Sequence, residues 1–132
     1  MKRYVLDSYA LIAYFEGEEG GKSVADILKK ALDNTAEVYL CRVNWGEMYY
    51  IAMREQGVEK AESFRKTLDE YPVQIVDVGE ELTLDAARIK ASRKMSFADA
   101  FAAALAKEKK AELVTGDKEF KSVEGTTKIH WI

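Results

Sequence analysis

Four acidic side chains are spaced so that they could share one metal-binding site: Asp7, Glu47, Asp99 and Asp117. Two carboxylates about 4 Å apart repel each other by roughly 4 kcal/mol at an effective dielectric constant near 20, so a group of four needs a cation or bound protons. A divalent cation removes this repulsion, and two such ions roughly 3.5–4 Å apart suit in-line displacement at a phosphodiester. These residue types therefore favour metal-dependent phosphodiester chemistry.

The sequence also restricts which metal could bind. With one histidine, His130, and one cysteine, Cys41, a His/Cys zinc cluster is excluded. Any metal site must be built from oxygen ligands, which suit Mg²⁺ or Mn²⁺.

Alternating apolar and amphipathic segments predict the elements that position these acids. Short apolar runs predict strands at residues 4–6, 38–41, 73–78, 113–115 and 128–132. Amphipathic segments predict helices at residues 8–15, 22–32, 44–54, 59–71, 80–94 and 96–110. Strands that alternate with helices favour a parallel sheet covered on both faces. We therefore predict a three-layer α/β/α fold with a central, mostly parallel sheet of about five strands, forming one domain over residues 1–132.

The four acids all fall near one edge of this predicted sheet. Asp7 directly follows the first strand, and Glu47 lies near the start of the helix after the second. Asp99 lies in the first turn of the helix before the fourth strand, and Asp117 lies two residues beyond that strand. Ligands of open parallel sheets bind beyond the carboxyl ends of the strands, so this edge is the expected site.

Each acid also has a purely structural interpretation. Ser96 and Asp99 have the spacing of a capping box, and so do Asn44 and Glu47. Asp7 could cap the first helix, and Asp117 could shape a turn. Because all four acids fall near the same sheet edge, a shared metal-binding site is favoured over four separate capping or turn roles.

Composition limits the class of protein. The 132 residues carry a net charge of −3, which argues against a basic nucleic-acid clamp. The single cysteine excludes an internal disulfide and favours a reducing compartment. No signal-like or long apolar segment supports secretion or membrane insertion, so a cytoplasmic protein is expected.

Four segments that contain the acids resemble the motifs of the PIN domain, and more closely those of the small prokaryotic VapC-type toxin ribonucleases. They are YVLDSYALIAYF, VNWGEMYY, SFADAFAAALA and LVTGDKEF, in this order. The resemblance implies a Mg²⁺- or Mn²⁺-dependent endoribonuclease with the four acids as catalytic metal ligands. It also implies a homodimer and a VapB-type antitoxin as partner.

The same resemblance suggests secondary polar positions. Ser8 and Thr115 match positions where family members carry a further polar residue beside the acids. Glu119 matches only loosely the position of another acid in some relatives, and we expect it to be solvated.

A site that cuts RNA also needs cations for the phosphate backbone, and such contacts would be salt-sensitive and independent of sequence. Basic residues on loops or helix ends near the expected edge are candidates, although exposed Lys and Arg also serve solubility. They are Arg42, Lys90, Arg93, Lys94, Lys118 and Lys121.

Two other functions remain open from the sequence. A PIN-domain nuclease could process RNA as a housekeeping enzyme without an antitoxin. A non-enzymatic doubly wound module, such as a phosphoacceptor receiver, is disfavoured because a receiver has adjacent acids after its first strand, where this chain has only Asp7.

Overall fold

A computed structural model describes residues 1–132 of the chain, arranged as one five-stranded sheet with helices on both faces. The strands are β1 (Lys2–Leu6), β2 (Ala36–Cys41), β3 (Val73–Val76), β4 (Glu112–Thr115) and β5 (Ile129–Trp131). The helices are α1 (Ser8–Phe15), α2 (Gly21–Leu32), α3 (Arg42–Gln56), α4 (Val58–Leu68), α5 (Glu80–Ser92) and α6 (Phe97–Lys109), with a 3₁₀ helix at Lys118–Val123.

All five strands are parallel, in the order β3-β2-β1-β4-β5. The predicted three-layer α/β/α fold is thus confirmed, and the sheet is wholly rather than mostly parallel. Leu6 pairs with Leu40 on one side and with Val114 on the other. This register brings the residues that follow β1, β2 and β4 to the same edge of the sheet.

Alternating side chains along the strands supply two separate cores. In β1, Tyr4 and Leu6 face the cluster built with α1, α2, α3 and α4, while Val5 faces the cluster built largely with α5 and α6. Such alternation follows from the two-residue period of a strand, and burial of both faces is expected for parallel sheets.

Helix α6 lies close against the sheet because of its small side chains. Every residue from Asp99 to Ala106 is buried, and five of these eight are alanines. Ser96 caps the helix, since its Oγ accepts a hydrogen bond from the Asp99 backbone N–H at 3.1 Å. The helix start is therefore fixed at the carboxyl edge of the sheet, and Asp99 lies in its first turn.

Three elements end two or three residues before their predicted ends. The helix predicted at 59–71 ends at Leu68, because Tyr71 has left the helix and its hydroxyl bonds that of Tyr14 at 2.7 Å. The strand predicted at 73–78 ends at Val76, and the helix predicted at 80–94 ends at Ser92, because the backbone of Arg93 is extended.

None of the helices has both the length and the apolarity that a membrane span requires.

Candidate metal centre

Asp7 is the most deeply buried of the four acids, with 1% of its surface exposed. It directly follows β1 and caps α1, because its Oδ1 accepts a hydrogen bond from the Ala10 N–H at 2.8 Å. The pKa of Asp7 is raised to about 7, chiefly by burial and also by the charges of Asp99 and Asp117, while hydrogen bonding to Thr115 and Ala10 lowers it in part. Asp7 thus has a capping role and also interacts with the other acids.

Asp99 is 8% exposed and lies beside the other acids. Burial raises its pKa to about 7, and the negative charges of Asp117 and Glu47 add to the effect. The cap of α6 is made by the Ser96 hydroxyl, which leaves the Asp99 carboxylate to face the crevice that it lines.

Asp117 caps the 3₁₀ helix at Lys118–Val123, which the sequence did not predict. Its Oδ1 accepts from the Glu119 N–H at 2.9 Å, and its own N–H donates to Thr115 Oγ1 at 3.0 Å. This turn places Glu119 opposite Asp99. One carboxylate oxygen from each of Asp99, Asp117 and Glu119 lies within 4.8 Å of the other two.

Glu47 lies in the second turn of α3, because that helix begins at Arg42 and not near Asn44. The capping-box interpretation of Asn44 and Glu47 is therefore wrong. Asn44 is fully buried, and its Nδ2 donates to Glu47 Oε1 at 3.4 Å and to the Ala98 carbonyl at 3.1 Å. Asn44 thus ties Glu47 to the start of α6. Its Oδ1 has no hydrogen-bond partner in the protein.

The donor set fits a divalent cation. The close group offers only carboxylate oxygens, the ligands that Mg²⁺ and Mn²⁺ prefer. Burial and mutual repulsion raise the pKa values of Asp7 and Asp99, so both effects disfavour the charged carboxylates. A bound cation would stabilise the charged forms. The close group includes Glu119, which is exposed to solvent as predicted. Asp7 and Glu47 line the same crevice as Asp99 and Asp117, and metal ligation by all four acids stays a prediction.

This crevice has a volume of about 530 Å³ and a strongly acidic wall. Eight of its thirteen lining residues are acids, and none is Lys or Arg. The acids are Asp7, Glu16, Glu18, Glu47, Glu55, Asp99, Asp117 and Glu119. This wall would repel a polyanion unless bound cations offset its charge.

The basic residues predicted to contact RNA lie outside the crevice wall. Arg42 forms an ion pair with Asp77, with Nε and Oδ1 2.7 Å apart. The remaining five are exposed side chains, and their contact with RNA stays a prediction; they are Lys90, Arg93, Lys94, Lys118 and Lys121.

The two polar positions suggested by the motifs lie beside the acids. Ser8 lines the crevice. Thr115 is fully buried at the end of β4, close enough to Asp7 that its hydroxyl lowers the pKa of that carboxyl. Thr115 also accepts from the Asp117 N–H, so it links two of the acids.

The family model of the PIN domain matches residues 4–125. The chain therefore belongs to the PIN domain family, as its motifs indicated. No curated protein matches the chain significantly in sequence.

Several solved structures share the fold at low sequence identity. VapBC2 from Rickettsia felis, bound to a DNA fragment from its promoter, superposes with a TM-score of 0.78 at 16% identity, covering 98% of this chain and 99% of that chain. DNA-bound VapBC from Salmonella typhimurium gives 0.76 at 15% identity, with 98% of each chain covered. Mycobacterium tuberculosis VapC20, described as a toxin that cleaves the sarcin-ricin loop, gives 0.75 at 16% identity, covering 91% and 94%. The chain thus has the fold of VapC toxins.

Proposed function

We propose that this protein is a Mg²⁺- or Mn²⁺-dependent endoribonuclease. The observation that carries the proposal is the group of Asp99, Asp117 and Glu119, whose carboxylate oxygens lie within 4.8 Å of one another beside the buried Asp7. Membership of the PIN family supports it, and so does the fold shared with VapC20, a protein described as cleaving the sarcin-ricin loop. RNA as the substrate comes from these comparisons, whereas the metal site comes from the geometry.

The chain's own residues would hold and orient the metal. Asp99, Asp117 and Glu119 would be its nearest ligands, with Asp7 behind them at the end of β1. When bound, a divalent cation supplies Lewis-acid chemistry, since it polarises the phosphodiester and makes water easier to deprotonate. Thr115 fixes the orientation of Asp7, and Asn44 fixes that of Glu47. Such supporting hydrogen bonds hold the carboxylates in place before the substrate arrives.

We also propose that the protein is the toxin of a VapBC-type pair and that a VapB-type antitoxin is its partner. We further propose that it forms a homodimer and is located in the cytoplasm. Two of the similar structures are VapBC complexes, which supports the antitoxin. A short reading frame directly upstream that encodes a DNA-binding protein would favour the toxin. The absence of such an upstream reading frame would instead favour a housekeeping PIN-domain nuclease that has no antitoxin.

Purified protein is expected to cut single-stranded RNA internally when Mn²⁺ or Mg²⁺ is added and to stop when EDTA is in excess, because the crevice repels RNA without a cation. Cleavage of an end-blocked RNA, followed on a denaturing gel, measures this. Addition of Zn²⁺-free Mn²⁺ after EDTA should restore the activity. Metal-independent cleavage, or no cleavage with either metal, would contradict the proposal.

A further inference from the structure

The ring of Tyr9 forms part of the wall of the acidic crevice. Tyr9 is the second residue of α1 and lies two positions after Asp7. It remains 45% exposed, although it is a large aromatic residue in a domain with two well-filled cores. Its hydroxyl makes no hydrogen bond within the protein, so neither core packing nor a polar contact explains its position.

Gly116 leaves room for this ring against the backbone. A Cβ at residue 116 would lie 2.6 Å from Tyr9 Cζ and 2.8 Å from Tyr9 Oη, so only glycine allows the ring to approach the backbone so closely. Gly116 joins Thr115 to Asp117, which belongs to the candidate metal group. The ring of Tyr9 thus lies against the backbone beside the acids, and part of it faces solvent.

The rest of the crevice determines what this ring could bind. The charged residues of the wall are all acids, so a phosphate finds no cationic side chain there. The hydrophobic members of the wall are Tyr9, Ile12 and Ile51. Of the parts of an RNA chain, the base offers a flat, uncharged aromatic face on which a tyrosine ring can stack, and every base has one.

We propose that Tyr9 forms a nucleobase-binding subsite, on which an unpaired base next to the cleaved bond stacks; this rests on the proposed ribonuclease function. Stacking supplies affinity without charge and does not depend on which base is present. Bases inside an RNA duplex are already stacked on their neighbours. The subsite therefore selects single-stranded segments over paired ones.

Steady-state cleavage of a single-stranded RNA in Mn²⁺ tests the subsite. Tyr9→Ala is expected to raise KM roughly 5- to 150-fold, the range that corresponds to loss of one base–aromatic stack, with kcat within about twofold. Tyr9→Phe keeps the ring and should behave like the wild type. Tyr50→Ala is the matched control, since Tyr50 is a similarly exposed tyrosine on α3 that packs over Arg54.

Abasic substrates then identify the contact itself. Nucleotides beside the mapped cleavage site are made abasic one at a time. For the wild type, one abasic position should raise KM by about the same factor as Tyr9→Ala. For Tyr9→Ala, that position should have no further effect, because the stack is already lost.

Two failures can be distinguished. Wild-type protein that cuts RNA with a KM equal to that of Tyr9→Ala would overturn the subsite and leave the ribonuclease standing. A KM raised equally by Tyr9→Phe, or by Tyr50→Ala, would also overturn it. Absence of metal-dependent cleavage by the wild type would overturn the ribonuclease and the subsite together.

Discussion

Asp99→Asn is expected to lower metal-dependent RNA cleavage by about 10³-fold or more while the protein stays folded. The amide keeps the volume of the carboxyl but removes the charge that would hold the cation nearest Asp117 and Glu119. Electrostatic stabilisation by a bound metal contributes several kcal/mol to such a reaction, and each 1.36 kcal/mol corresponds to tenfold in rate. Single-turnover cleavage at fixed Mn²⁺ measures the loss.

Asp26→Asn serves as the control for this experiment. Asp26 is an exposed acid on α2, and its variant has the same change in net charge. Its cleavage rate should equal that of the wild type. If Asp99→Asn kept activity within tenfold of the wild type, the acidic group would not be the catalytic centre.

The same substitution is expected to stabilise the metal-free protein, and increasingly so as pH rises. Asp7 and Asp99 have pKa values of about 7 in the folded state against 3.8 for the free side chain, so the native state holds more protons between these values. Their contribution to stability is therefore lost as pH rises from about 4 to about 7 and does not change outside that window. In EDTA, Asp99→Asn should match the wild type near pH 4 and exceed it by about 2–4 kcal/mol near pH 8.

Urea denaturation in EDTA at a series of pH values measures this difference. Titrating groups far from Asp99 cancel in the comparison. Asp7 does not, because loss of the Asp99 charge lowers the pKa of Asp7 and so adds to the advantage of the variant at high pH. Saturating Mn²⁺ should reverse the order at pH 8, since only the wild type gains fully from the cation. A variant less stable than the wild type at pH 8 in EDTA would show that the Asp99 carboxylate acts mainly at the helix N-terminus.

The sequence could predict the sheet and the edge of the site because both follow from local periodicity. The apolar runs that end at Leu6, Cys41 and Thr115 gave the central strands, and parallel pairing then placed their carboxyl ends together. This arrangement alone was enough to predict that Asp7 and Asp99 lie at the same edge of the sheet. The order of the motifs indicated the PIN family, and the match to the PIN-domain model confirmed it.

Features that depend on short or tertiary contacts could not be predicted. Glu119 reaches the acids through a six-residue 3₁₀ helix, which carries no apolar period long enough to detect. Asn44 was misinterpreted because α3 begins at Arg42 with no side-chain cap to mark its start. The contact of Tyr9 with Gly116 joins two distant parts of the chain, so it has no local signature.

The central claim is that these acids hold a divalent cation, and a crystal structure with Mn²⁺ tests it most directly. Anomalous scattering locates Mn²⁺ without ambiguity about its position. We predict Mn²⁺ in the crevice at about 2.0–2.3 Å from carboxylate oxygens of Asp99, Asp117 and Glu119, with Asp7 bound directly or through water. No anomalous peak at saturating Mn²⁺, or a peak that touches none of these carboxylates, would contradict the claim.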